Sequence, residues 1–146
     1  MTLKQKVKQA QELIKIAYSK HQNGLYVAFS GGKDSRAVLR MTKEIYPNIL
    51  VIHNSHKGED IGDQKGVLVV KSPKTNVPKF LALTELTAQL DGTRQDEDDY
   101  VMVDGVDIHR SKLNKNYVKS GVFGLEAYFP LFYFTEEEVY EYLRSE

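Results

Sequence analysis

The chain has 146 residues, no cysteine, and 20 Lys+Arg against 20 Asp+Glu, for a formal net charge of +0. That length supports one domain with a real core, and the charge balance gives no overall pull toward nucleic acid or an anionic membrane. The lack of cysteine excludes disulfides, cysteine-ligated metal and a thiol nucleophile, while the lack of a long apolar run or signal-peptide core leads us to expect a cytoplasmic protein without a membrane partner.

In chain order, residues 2–21 carry Leu3, Val7, Ala10, Leu13, Ile14 and Ala17 at helical spacing. Lys4, Lys6, Lys8, Lys15 and Lys20 fall mostly off that stripe and read as a solvated face in preference to a nucleic-acid contact. Asn23-Gly24 should end the helix as a left-handed cap. The apolar run of residues 25–29 then forms a first strand.

The strand breaks into Ser30-Gly31-Gly32-Lys33-Asp34-Ser35. A helical pattern follows over residues 34–46, with Val38, Met41 and Ile45 on one side and Pro47 as its stop. Both glycines permit backbone angles closed to other residues, so successive N–H groups can turn onto an anion. The helix adds free amides and the positive end of its dipole. Lys33 adds a full charge, and Ser30 and Ser35 add hydroxyl donors. This is a phosphate cradle but not a Walker A loop, which needs four residues between its first Gly and the Gly-Lys-Ser/Thr. Residues 49–52 are continuously apolar, as in a strand covered on both faces. Strand, turn, helix and strand make a right-handed parallel β-α-β unit. Ligands in such sheets bind at the carboxyl ends of the strands, which places His53, Asn54 and Ser55 beside the cradle.

The signature resembles that of the PP-loop family, the ATP pyrophosphatases and their relatives, whose Ser-Gly-Gly-x-Asp-Ser pattern is matched at every fixed position. Beyond it, residues 56–66 are too few for a full crossover helix, so a loop or one helical turn is expected before a strand at residues 67–70. Residues 72–78 read as a loop with two prolines. In residues 79–90, Phe80, Leu81 and Leu83 suit a short helix and residues 86–90 a strand.

Leu90-Asp91-Gly92-Thr93-Arg94 then runs into acidic residues, which resembles the second segment of phosphoadenylylsulfate (PAPS) reductases. In that family the glycine lets the backbone approach the nucleotide and the arginine contacts its phosphate or sulfate. The resemblance implies those roles for Gly92 and Arg94, and a guanidinium suits an oxyanion. The run Asp96 to Asp99 reads as a solvated turn in preference to a Mg²⁺ ligand set. His109, Arg110, Lys112, Lys115 and Lys119, with Tyr117 among them, form a basic cluster. It suits a charged surface loop, the anionic part of a second substrate, or a nucleic-acid backbone. No arrangement of His with Ser or Asp reads as a hydrolytic triad. Thr135 and Glu138 form a capping box for a last helix whose apolar face is Val139, Tyr142 and Leu143. The preceding Pro-Leu-aromatic segment resembles the one that closes the core of PAPS reductase-like proteins.

The resemblance implies an α/β fold of the adenine nucleotide α-hydrolase type: a Rossmann-like parallel sheet flanked by helices, with residues 1–146 as a single nucleotide-binding domain. It implies ATP or PAPS as ligand with Mg²⁺, and cleavage of ATP between its α- and β-phosphates. The products are AMP and pyrophosphate, or an adenylated acceptor of unknown identity. Ser30, Gly31, Gly32, Lys33, Asp34, Ser35, Asn54, Gly92 and Arg94 would bind the nucleotide. Lys33, Asp34 and Arg94 would serve catalysis, and Asp34 would cap the helix or help hold the metal. The thiol route of the PAPS reductases is closed to a chain without cysteine. The alternative is a binding module without turnover, a homodimer or one subunit whose partner protein supplies the acceptor, in sulfur transfer or nucleic-acid modification.

Overall fold

Thr2 Oγ1 accepts the amide of Gln5 at 3.2 Å and Gln5 Oε1 accepts that of Thr2 at 2.8 Å, a reciprocal cap that starts helix α1 (Leu3–His21). In the computed structural model, which describes residues 1–54, 67–70 and 85–145, α1 buries Ala10, Ile14 and Ala17 of the expected stripe. Its end differs from expectation. The left-handed residue is Gln22, at φ 49°, and not Asn23 or Gly24. Gly24 is needed for space, since a Cβ there would lie 2.5 Å from Thr87 Oγ1.

Strand β1 (Leu25–Ala28) leads through residues 29–32 into α2 (Lys33–Ile45) and β2 (Leu50–Asn54). β2 pairs in parallel with β1 and with β3 (Val67–Val70), as the β-α-β reading requires. Strand β4 (Ala88–Leu90) lies parallel on the other side of β1, and β8 (Glu126–Tyr128) parallel beside it. β7 (Tyr117–Val118) closes that edge antiparallel. The order β3-β2-β1-β4-β8-β7 reverses direction between β1 and β4, which is the switch point where such sheets open a crevice. The fold class is therefore the expected one, a Rossmann-like sheet with helices against it. The expected features at residues 55–66 and 71–84 lie outside the described residues.

One face of the sheet carries Leu25, Val27, Phe29, Val51, Ala88, Leu90 and Tyr128 into a core with α1, α2 and the last helix, α3 (Glu136–Arg144). Tyr26, Ile52, Leu86 and Leu125 form a smaller cluster on the other. Thr135 caps α3 with Glu138 as foreseen, and Glu138 also takes Lys6 Nζ at 2.6 Å. Burial works against the Glu138 carboxylate, but the Lys6 ammonium and the Thr135 amide outweigh it and hold its pKa below the usual range. A depressed carboxylate stabilises the fold above its unfolded pKa of about 4.3 and loses that contribution as pH falls through the folded value. Glu138→Gln should therefore lower the thermal midpoint at neutral pH, and the gap should close in strong acid. A gap independent of pH would assign the loss to the cap alone.

The sequence reading missed a hairpin. β5 (Tyr100–Val103) and β6 (Val106–His109) pair antiparallel across Asp104 (φ 51°) and Gly105 (φ 79°). Asp-Gly between alternating apolar residues is the usual signal for that turn. Val101 and Val103 pack it onto Val118, Ala127, Phe129 and Phe132.

Candidate functional site

The cradle sits where β1 ends and α2 begins. Gly31, at φ 87°, makes the turn, and this is the one position in the loop where only glycine is at ease. Gly32 differs from expectation: it lies at φ −77° and ψ 172°, open to any residue, and serves as the α2 N-cap. Asp34 is consequently within the first turn and caps nothing, so no side chain closes the helix. The Lys33, Asp34 and Ser35 amides have no acceptor among the described residues, which is the arrangement that attracts an anion.

The two serines divide their work. Ser35 is buried; it accepts the Ser30 amide at 3.2 Å, gives its hydroxyl to Gly32 O at 3.0 Å, and lies 3.1 Å from Ser30 Oγ. It braces the loop from beneath. Ser30 is exposed at the lip and accepts the Gly32 amide at 3.3 Å. Lys33 Nζ lies 3.6 Å from Asp34 Oδ2, 3.5 Å from Glu136 Oε1 and 5.6 Å from the centre of the Tyr140 ring. Glu136 and Tyr140 come from α3, a neighbourhood with no local sequence signal.

The second segment reaches the same place from β4. Gly92 is pressed against the start of α2: a Cβ would sit 2.7 Å from Asp34 Cβ, 3.0 Å from the Asp34 carbonyl carbon and 3.2 Å from Ser35 N. Its lack of a side chain lets two protein segments meet. Arg94, 3% exposed, donates from Nη1 to Asp34 Oδ1 at 2.6 Å and from Nε to Asp96 Oδ1 at 2.9 Å, with Glu97 at 3.8 Å from Nη1. Burial opposes its charge, yet Asp96 and Asp34 together raise its pKa above the ordinary arginine value. Glu97 passes the connection on to Arg110 at 2.9 Å, and Asp98 takes His109 at 2.8 Å. The acidic run is an exposed turn, as expected, and two of its carboxylates have a further role. Asp96 and Glu97 tie the cradle to the segment after the hairpin, where Arg110 and His109 of the basic cluster find carboxylate partners.

Asp91, at the end of β4, was also missed. It accepts the Thr93 amide and Gln89 Nε2, each at 2.9 Å, and Gln89 in turn accepts Tyr26 Oη–H at 2.6 Å. Burial lifts the Asp91 carboxyl above its usual range, against those hydrogen bonds and the nearby Arg110 charge. Its signal in the sequence was a carboxylate at a strand end, beside the glycine. His53 meets the expected neighbourhood: it is buried, and Nδ1 donates to Phe29 O at 2.7 Å. Its Nε2 has no partner among the described residues. Asn54 ends β2 at that edge, and Ser55 lies outside the described residues.

Among the described residues no group of three or more His, Cys, Asp or Glu side chains could hold a metal ion, and no helix is long and apolar enough to cross a membrane. Asp34, with Lys33 and Arg94 on its oxygens, is the one cradle carboxylate. That set fits Mg²⁺ only in the mode in which the ion arrives on a polyphosphate and takes one or two protein oxygens.

No protein family matches the chain by sequence, and no curated protein matches it. Solved structures do match in shape. FMN adenylyltransferase of Candida glabrata superposes with a TM-score of 0.68 at 12% identity, over 97% of this chain and 54% of that one. Its complex with ATP gives 0.67 at 15% over 97% and 54%, and its complex with FMN and the ATP analogue AMPCPP gives 0.69 at 14% over 97% and 55%. The chain thus spans about half the length of these enzymes. At such identities the likeness shows the fold: this chain has the α/β architecture on which those adenylyltransferases are built.

Proposed function

We propose that the chain binds an adenine nucleotide in the crevice between β1 and β4 and transfers AMP from ATP to an acceptor oxygen. The observation that carries this is the meeting of the two sequence segments at the switch point, where Asp34 and Arg94 lie 2.6 Å apart. Likeness of fold to an adenylyltransferase supports it. On its Ser30–Ser35 signature we place the chain in the PP-loop superfamily, near the PAPS reductase-like proteins, as one cytoplasmic nucleotide-binding domain.

In this reading the acceptor oxygen attacks the α-phosphorus, the bond to the bridging oxygen breaks, pyrophosphate leaves, and any proton on the acceptor oxygen passes to solvent water. The amides of Gly31, Gly32 and the first turn of α2, with Ser30 Oγ and Lys33, hold the β- and γ-phosphates and offset the leaving group's charge. Ser35 keeps the loop in shape beneath them. Gly92 keeps β4 against the cradle, and Arg94 orients Asp34 and adds positive charge beside the α-phosphate. Asn54, the last residue of β2, belongs to the same nucleotide-binding set. Mg²⁺ carried in on the polyphosphate would neutralise phosphate charge, and Asp34 is the residue that would help hold it. PAPS is the alternative nucleotide, bound by the same phosphate contacts.

A second reading, binding without turnover, is favoured by Asp34, whose oxygens already face two cations. Incubation with labelled ATP and Mg²⁺ separates the two, since pyrophosphate forms only with turnover. Lys33→Ala should weaken ATP binding by about 1.5–3 kcal/mol, the scale of a hydrogen bond to a charged group. Equal affinity by calorimetry in wild type and variant would remove Lys33 from the site.

A further inference from the structure

At the opposite end of the sheet, between the close of α1, the close of α2 and the start of β2, lies a half-open cavity of about 350 Å³. That volume is within the range of small-molecule sites. Leu25 and Ile49, both buried, make its floor. Tyr18 and Tyr46 make a wall, their rings stacked with centroids 3.9 Å apart and planes 14° from parallel. None of the residues lining it is charged, although 27% of the chain is.

The rim carries three solvent-exposed carboxamides, Gln22, Asn23 and Asn48. Gln22 also holds φ 49° and ψ −117°, a backbone conformation that residues with side chains rarely adopt. Strain of that kind is kept where surrounding structure over-determines it, and it concentrates at ligand sites. An uncharged lining, an aromatic wall and amide donors and acceptors at the rim suit an uncharged aromatic ligand that carries an amide. We propose that this cavity binds an uncharged planar heteroaromatic carboxamide or a ligand with such a head group. The ring would stack on the tyrosines and the amide would pair with the carboxamides. A charged counterpart would lose its hydration without gaining an opposite charge.

The site is independent of the nucleotide crevice, so each can fail alone. Nicotinamide is the probe and nicotinate its charged counterpart, titrated into the ¹⁵N-labelled chain. Nicotinamide should shift the amides of Tyr18, Asn23, Tyr46 and Asn48 saturably in the millimolar range, leave Gly31 and Gly32 unmoved, and bind at least about tenfold tighter than nicotinate. Tyr46→Ala should abolish the shifts. Gln22→Gly removes one carboxamide and the backbone strain together, so it should bind several-fold more weakly while melting at a higher temperature. Failure to saturate, equal binding of nicotinate, or shifts confined to the cradle would overturn the proposal. So would unchanged affinity in Gln22→Gly.

Discussion

Arg94→Ala should lower the unfolding free energy by about 3 kcal/mol, the scale of removing one partner from a buried ion pair. The guanidinium is 3% exposed and is the shared counter-charge of Asp34, Asp96 and Glu97. Its removal leaves Asp34 with only Lys33, at 3.6 Å, and Glu97 with only Arg110, and takes from Asp96 its one cation among the described residues. Asp96 and Glu97 are partly solvated, 42% and 28% exposed, so the loss belongs at the lower end of the range for buried pairs. Arg94→Lys should fall between, because an ammonium reaches one carboxylate where the fork spans two. Urea unfolding measures both. A loss in Arg94→Ala under about 1 kcal/mol would equate the cluster with exposed surface pairs and remove Arg94 from the centre of the site.

Gly92→Ala should cost about 2–3 kcal/mol and loosen nucleotide binding in the same step. The added methyl would fall 2.7 Å from Asp34 Cβ and 3.0 Å from the Asp34 carbonyl carbon, in the first turn of α2. A long side chain can swing aside, but helix backbone cannot, so β4 and α2 must separate. Separation pulls Arg94 from Asp34 and disturbs the Ser35 brace under Ser30 and Gly32. Stability and ATP affinity should therefore fall together, unlike Lys33→Ala, which should alter affinity alone. If Gly92→Ala unfolds at the wild-type urea midpoint, the close approach of the two segments is not a constraint on the fold.

The local features were legible in the chain because local chemistry decides them. The stripe of Ala10, Ile14 and Ala17, the Thr135–Glu138 box, the apolar run into Gly31 and the parallel β1-α2-β2 unit follow from spacing, capping and backbone freedom within a few residues. The Asp104-Gly105 turn was equally local, and its signal was there to be read. What each motif meets was not legible. That Gly92 meets the first turn of α2, that Arg94 reaches Asp34, and that Lys33 lies beside Glu136 and Tyr140 depend on strand order and on partners from about 60 to more than 100 positions away. A motif specifies its own backbone, whereas burial and charge pairing belong to the assembled sheet, where β4 inserts beside β1 and brings residues 91–97 onto the cradle.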